Sequence, residues 1–329
     1  MWVRSVSCIV SALLLWSGAN VAIAQAPAKP YRIGWLSDGA PPLDGTAGGA
    51  ELRQALREAG YVEGRNFVIE YRYAAGNVER LPGLAAELVR VPVDVIVTSG
   101  EPAALAAQRA TKAIPIVVTQ IAIDPVKAGL VTSFGRPEAN ITGLATLSDE
   151  LWEKRVGLLK EIAPKVSRLA VLWNPSNPGN AGCVDQIRVA AGLRLQVRAL
   201  EVRDAGALER ALVSMTNDPV DALAVCWDTF LLGRAAAIAD FALKSHLPTL
   251  APLKEYVEAG CLLSLGVSLS AHKRRTAYYV DKTLKGTKPA NLPVERAAQF
   301  DLVFNLKTAK ALGLTLPPHL LVLADDVVQ

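Results

Sequence analysis

From Tyr31 onward, short apolar runs rich in β-branched residues alternate with longer runs whose apolar positions recur at helical spacing. RIGWL at 32–36 predicts a strand, and 51–59 predicts a helix ending at Gly60. FVIEYRY at 67–73 predicts a second strand and 78–90 a second helix. VDVIVTSG at 93–100 leads into a helix over 101–110, and IPIVVTQ at 114–120 makes a fourth strand. The runs at 95–97 and 116–118 are continuously apolar, as strands covered on both faces are. Strands alternating with helices in this way predict a parallel sheet clothed by helices.

The same order returns in the second half. RLAVLW at 168–173, LQVRALEV at 195–202, VDALAVCW at 220–227 and LPTLAPL at 247–253 echo the four strands in turn. Val-Asp opens both third strands, and Pro stands second in both fourth strands. The expected architecture is α/β, with two Rossmann-like lobes of one topology; two copies are too few for a solenoid. The join is placed at NITGLAT, 140–146. Beyond the second copy come CLLSLGV at 261–267, a helix over 271–285 ending at Gly286, a Pro-rich passage at 288–293, a strand at 300–305 and a short helix. That tail is too small for a domain and should complete the lobes. The N-terminal lobe is therefore expected at 31–143 with about 270–294, and the C-terminal lobe at 144–269 with about 295–329, joined by a multi-segment hinge.

The length of 329 residues suits about two domains. A hydrophobic share of 51% supplies real cores and excludes a disordered chain. The net charge of +4 is scattered, which argues against a nucleic-acid partner. The first 24 residues differ: one base, Arg4, then the apolar run CIVSALLLW, then Ala22-Ile23-Ala24. This is a secretory signal pattern with cleavage expected after Ala24, and the apolar run is short for a membrane anchor. Cys183, Cys226 and Cys261 remain in the mature chain. Their number is odd and their spacing fits no short metal motif, so no metal or cofactor is expected. They are either buried small hydrophobes or, in an oxidising compartment, include a Cys226–Cys261 disulfide.

Enzyme motifs are poor. His246, His272 and His319 have no paired spacing. Gly266-Val267-Ser268-Leu269-Ser270 lacks the last glycine of a nucleophile elbow, and Gly286-Thr287-Lys288 lacks the upstream glycine of a phosphate loop. No catalytic role is expected.

Many separate segments carry one resemblance: LREAGYVEGRNFVIEYRYAAGNVERLPGLAAELV, VDVIVTSGEPA, IPIVVTQIAIDPVKAGLV, RPEANITGL, LLKEIAPKVSRLAVLWNP, YVDKTLKGTKPANLPVE and FDLVFNLKTAKALGLTLPPHLL. In this order, over 31–326, the chain resembles the exported substrate-binding proteins of an ABC-transporter family that includes tryptophan and tyrosine binders. The resemblance implies a type I periplasmic binding-protein fold. It also implies a periplasmic, monomeric protein that closes on a small solute, an amino acid or a small aromatic or carboxylate compound. The solute is then passed to a membrane permease and its ATPase. A ligand-sensing module of the same fold, signalling to a membrane receptor, is the alternative. A secreted hydrolase lacks its nucleophile and base here. A transcription regulator would carry a DNA-binding helix pair where the signal sequence stands.

In open α/β sheets ligands bind beyond the carboxyl ends of the strands. Candidates after the first strand are Ser37 and Asp38, and after the third Ser99 and Gly100. Ser99 is an N-cap, a contact for a ligand carboxylate, or both. Thr119 follows in the fourth strand; Asp124 either caps the next helix or lines the cleft. In the second lobe Asn174, Ser176 and Asn177 make a turn that opens a helix, and the resemblance gives this turn polar ligand contacts. Asp228 is either a cap or the partner of a ligand ammonium. Tyr256 either stacks on the ligand or fills the core. Trp35 is expected to pack in the first sheet. Cys226-Trp227 is an unusual lead-in to the aspartate for this family, so the identity of the solute is not carried over.

Overall fold

The computed structural model describes residues 29–41, 50–147, 151–192, 195–297 and 299–329; the expected signal segment, 1–24, lies outside them. In chain order the first part runs β1 (Tyr31–Ser37), α1 (Ala50–Glu58), β2 (Phe67–Tyr73), α2 (Leu81–Arg90), β3 (Val95–Ser99), α3 (Glu101–Ala110), β4 (Ile116–Ile121) and β5 (Ile141–Ala145). Next come α4 (Trp152–Ile162), β6 (Arg168–Trp173), α5 (Gly179–Ala191), β7 (Gln196–Glu201), α6 (Ala205–Asn217) and β8 (Ala222–Val225). Then α7 (Thr229–Leu232), α8 (Ala235–Lys244), β9 (Thr249–Ala251), α9 (Lys254–Glu258) and β10 (Leu263–Val267) follow. The chain ends with α10 (Leu269–Leu284), β11 (Glu295–Arg296), β12 (Phe300–Asn305), α11 (Leu306–Ala311), α12 (Pro318–Leu323) and β13 (Asp326–Val328).

These strands form two sheets. One has the order β11-β5-β4-β3-β1-β2, the other β13-β12-β10-β9-β8-β6-β7. Dropping the late strands leaves 2-1-3-4-5 in the first and the same order in the second, so the echo along the sequence is one topology used twice. The pairs are parallel except β10–β12, which is antiparallel. Central strands are apolar because both faces are covered: β4 and β5 are buried along their whole length. The edge strands β2 and β7 are mostly half-buried and carry charge, with Arg72 of β2 paired to Glu87 of α2 at 2.7 Å. Helices give each sheet a core on both faces. Leu52 and Leu56 of α1 join Ile33, Val95 and Tyr279 on one side of the first sheet, while Leu81, Ala85 and Leu88 of α2 join Leu36 and Ile96 on the other.

The stretch 140–146, expected to be the join, holds the fifth strand of the first sheet instead. Ile141–Ala145 pairs with β4 and is fully buried. Its Asn140 and Gly143 mask the strand signal, and the chain leaves the sheet only after Ala145. Helix α10 follows β10 of the second sheet but packs on the first, where Ala277, Tyr279, Val280 and Leu284 enter the core with Ile33 and Trp35. Two long-range bonds fix it there, Tyr61 Oη to Asp281 Oδ1 at 2.9 Å and Tyr279 Oη to the Pro293 carbonyl at 2.7 Å. The chain thus passes between the sheets three times, between β5 and α4, between β10 and α10, and between β11 and β12.

The cysteine pairing differs from the one the sequence allowed. Cys226, just after β8, is bonded to Cys183 of α5, and Cys261 is a buried free thiol. Cys183 and Cys226 share the core on one face of the second sheet, whereas Cys261 lies in the core on the opposite face. A sheet separates the two cysteines that the sequence left open for pairing. Burial pushes the Cys261 thiol up to about 12, which keeps it protonated. Among the described residues no helix is long and apolar enough to cross a membrane, and no cluster of His, Cys, Asp and Glu could hold a metal.

Candidate functional site

The carboxyl ends of β1, β3 and β4 meet those of β6 and β8 across a cleft, and the two lobes touch there. The Thr229 hydroxyl of the second lobe donates to Asp38 Oδ1 of the first. Phe230 of α7 packs on Gly76, in the turn after β2: a Cβ there would stand 2.6 Å from Phe230 Cδ2. Gly179, first residue of α5, meets Ile123 so closely that its Cβ would stand 3.0 Å from Ile123 Cγ2. Ala122 of the first lobe belongs to the core of the second.

A cavity of about 230 Å³ lies at these strand ends. The first lobe contributes Trp35, Ser37, Tyr73, Ser99 and Gln120; the second contributes Trp227 and Thr229; Lys273 comes from α10. A larger cavity, about 470 Å³, is lined by turn residues such as Asn77, Ser176 and Arg203 rather than by strand ends. The smaller one is the candidate site. It combines aromatic walls with a few convergent polar groups, as small-molecule sites do.

Behind it lie three buried carboxylates, Asp38, Glu101 and Asp228, exposed by 3%, 0% and 1%. None forms an ion pair among the described residues. Asp228 is the best served. Its Oδ2 accepts from Asn174 Nδ2 at 3.2 Å and Asn177 Nδ2 at 3.1 Å, and its Oδ1 accepts from the Leu231 amide at 3.0 Å as the N-cap of α7. Glu101, first residue of α3, accepts from the Ala122 amide. Asn177 approaches Glu101 from the other lobe closely enough to favour its charge. It stops short of hydrogen-bond geometry, so Oε2 has no partner. Burial holds all three above the ordinary carboxylate range. Asp38 is raised furthest, by burial first and then by the charges of Asp228 and Glu101.

The structure sorts the residues that the sequence singled out. Ser37 and Ser99 line the cavity. Ser37 Oγ also accepts from the Gly39 amide at 3.1 Å. Gly100, not Ser99, is the N-cap of α3, at φ +93° and with no side-chain cap bond. Its bareness is required, because a Cβ would run into the Asp38 carboxylate. Asn174 and Asn177 turn inward and hold Asp228, and Asn180, missed in the sequence, completes the turn by donating to the Trp227 carbonyl at 2.7 Å. Ser176 lines the larger cavity. Asp124 caps its own turn, accepting from the Val126 amide at 2.8 Å. Thr119 is buried away from the cavity, its carbonyl against His272, and its neighbour Gln120 takes the cavity face. Tyr256 is fully buried, with no partner for its hydroxyl; burial, then the charge of Asp228, raises its pKa well above the usual phenol value. Trp35 packs in the first sheet as expected, and it also lines the cavity. Tyr73, Trp227 and Lys273 gave no sequence signal of their own, since aromatic and basic residues near strand ends are common.

Two α/β lobes of one strand order, crossed three times by the chain and meeting at their strand ends, define a type I periplasmic binding-protein fold. Residues 40–328 match the family described as ABC transporter substrate binding protein, and the chain belongs to that family. A tyrosine-binding protein from Clostridioides difficile (strain R20291) is 27% identical over 263 residues, 79% of this chain and 75% of that one. Among solved structures, an ABC domain from Streptococcus pneumonia in complex with L-Trp is 25% identical. It covers 91% of this chain and 100% of its own, with a TM-score of 0.80. A ligand-free, open substrate-binding protein with adhesive properties from Clostridium difficile is also 25% identical. It covers 91% of this chain and 99% of its own, yet its TM-score is 0.60. At equal identity and near-equal coverage, the chain superposes better on the L-Trp complex, in keeping with the contacts across its cleft.

Proposed function

We propose that this chain is the exported solute-binding component of an ABC importer. It closes on a small solute between its lobes and delivers it to a membrane permease driven by an ATPase. It works by binding, as a periplasmic monomer released by cleavage after Ala24, and has no catalytic role. The observation that carries this reading is the cavity at the facing strand ends, walled by Trp35, Tyr73 and Trp227 and bridged by Thr229 to Asp38. Aromatic walls suit an aromatic solute, and buried carboxylates suit an amine. The tyrosine-binding relative and the L-Trp complex support an aromatic amino acid or a close derivative.

In mechanism, the solute binds the lobe it meets first and selects the closed arrangement by contacting both. Ser37, Ser99 and Gln120 offer polar contacts from one side and Thr229 from the other. Asp228, held by Asn174 and Asn177, gives the amine its counter-charge. Release at the permease is the reverse motion. Purified mature chain, unfolded and refolded to strip carried-over solute, should be stabilised by L-tyrosine or L-tryptophan. A compound at about a hundred times its Kd adds roughly 2.7 kcal/mol, a shift of a few degrees in Tm. If no aromatic amino acid, amine or acid shifts Tm or Trp fluorescence, the reading fails.

A further inference from the structure

The charge around the cleft is one-sided. Helix N-termini are natural anion sites, because their first N–H groups and the helix dipole favour negative charge. Here the chain places its own acids and amides beside those positions. At α3, Glu101 stands as the first helical residue and the Asp38 carboxylate lies over Gly100. At α5, Asn177 Oδ1 accepts from the Gly179 amide at 3.1 Å, and Asn174 Oδ1 takes the Ser176 amide at 3.0 Å. At α7, Asp228 is the cap. A carboxylate entering the cavity would meet the Ser37, Ser99 and Thr229 hydroxyls and the Gln120 amide as its few donors, with three buried acids behind the wall.

Cations are scarce by comparison. Lys273 is the basic residue lining the cavity, and its Nζ is bound to Glu51 Oε2 at 3.0 Å. Each acid flanks the lining: Ser37 and Gly39 bracket Asp38, Trp227 and Thr229 bracket Asp228, and Ser99 lies two residues before Glu101. A second observation points to a ligand. The Tyr256 hydroxyl, fully buried and within electrostatic reach of Asp228, makes no hydrogen bond, and neither does Glu101 Oε2. The aromatic side chains of Trp35, Tyr73 and Trp227 in the lining add the kind of group that attracts a cation.

We propose that the cleft selects solutes bearing a protonated amine without an adjacent carboxylate, the arylalkylamine class, over the parent α-amino acids. This rests on the solute-binding reading above. The amine supplies the positive charge that Asp38, Glu101 and Asp228 lack, whereas an α-amino acid brings a negative charge that the cleft has few donors to receive. The amine's charge favours the ionised forms of these acids, so binding draws off protons that they hold.

The test is calorimetric titration of the refolded mature chain with tyramine, tryptamine, L-tyrosine, L-tryptophan and 3-(4-hydroxyphenyl)propionate. Each amine should bind at least about tenfold more tightly than its amino acid, and the acid should not bind. Amine affinity should rise with pH as the acids ionise, with proton release measured by comparing buffers of different ionisation heat. Glu101→Gln, which keeps an acceptor for the Ala122 amide, should erode the amine's advantage to less than about threefold while circular dichroism stays native. Amino acids that bind as tightly as the amines would overturn the inference and leave the solute-binding reading intact. Failure of all five compounds would overturn both.

Discussion

Gly76 sits at φ +85° in the turn after β2, with the Phe230 ring of the other lobe 2.6 Å from where a Cβ would be. Gly76→Ala therefore adds two costs of different kind. The left-handed backbone costs an L-residue about 1–2 kcal/mol whether the lobes are open or closed. That part lowers Tm but cancels from ligand affinity. The methyl group meets Phe230 only when the lobes close. Forcing an extra methyl into a packed contact costs typically about 1–3 kcal/mol. Charged to the closed state alone, this weakens solute binding by roughly 5-fold to 150-fold. The assay is titration of wild type, Gly76→Ala, Phe230→Ala and the double variant with the strongest binder found, followed by a double-mutant cycle. Phe230→Ala should restore most of the affinity lost in Gly76→Ala while leaving its Tm deficit in place. Equal affinities for Gly76→Ala and wild type, or a loss unrelieved by Phe230→Ala, would show that this contact does not belong to the solute-bound state.

Three further outcomes are expected. Thr229→Val removes the hydroxyl that serves Asp38 across the cleft. Leaving that buried acceptor short costs about 1–3 kcal/mol in the closed state, so affinity should fall by roughly 5-fold to 150-fold with little change in Tm. Breaking the Cys183–Cys226 bond, which spans a sequence separation of 43, should lower unfolding free energy by about 4 kcal/mol on the chain-entropy account. Urea denaturation of the double Ser variant measures it, and an unchanged midpoint would speak against the bond. Asp38 and Glu101 lie above the usual carboxylate range because burial disfavours their charged forms. Their protonated forms favour closure, a contribution present at low pH and lost as pH rises through the raised values. Without solute, X-ray scattering should show a more closed chain at lower pH than at higher pH, and Glu101→Gln should flatten that difference.

Much of the fold is legible in the sequence because buried parallel strands need unbroken apolar runs. Val95-Ile96-Val97 and Ile116-Val117-Val118 state both the strand and its double-sided burial. The exception, β5, is preceded by Asn140 and carries Gly143 where such runs carry branched residues, so it reads as a linker. Site loops are legible for a topological reason: whatever follows a parallel strand lies at the cleft edge, which marks Ser37, Asp38, Ser99 and Asp228. Finer assignments fail where sequence does not fix a face. In β4, buried on both faces, nothing local separates Thr119 from Gln120, and the structure gives the cavity to Gln120. Glu101 reads as an ordinary acid in a first helical turn; its importance comes from Asp38 and Asp228, brought near by folding. The cysteine pairing is likewise invisible without knowing which side of the sheet each thiol occupies.

The most direct test is X-ray scattering of the refolded mature chain titrated with tyramine, tryptamine, L-tyrosine and L-tryptophan. The account predicts a saturable decrease in radius of gyration with at least one of them. That decrease should be absent in an Asp228→Ala variant that still folds. A chain whose dimensions stay fixed with every compound, or an Asp228→Ala variant that compacts as wild type does, would contradict it.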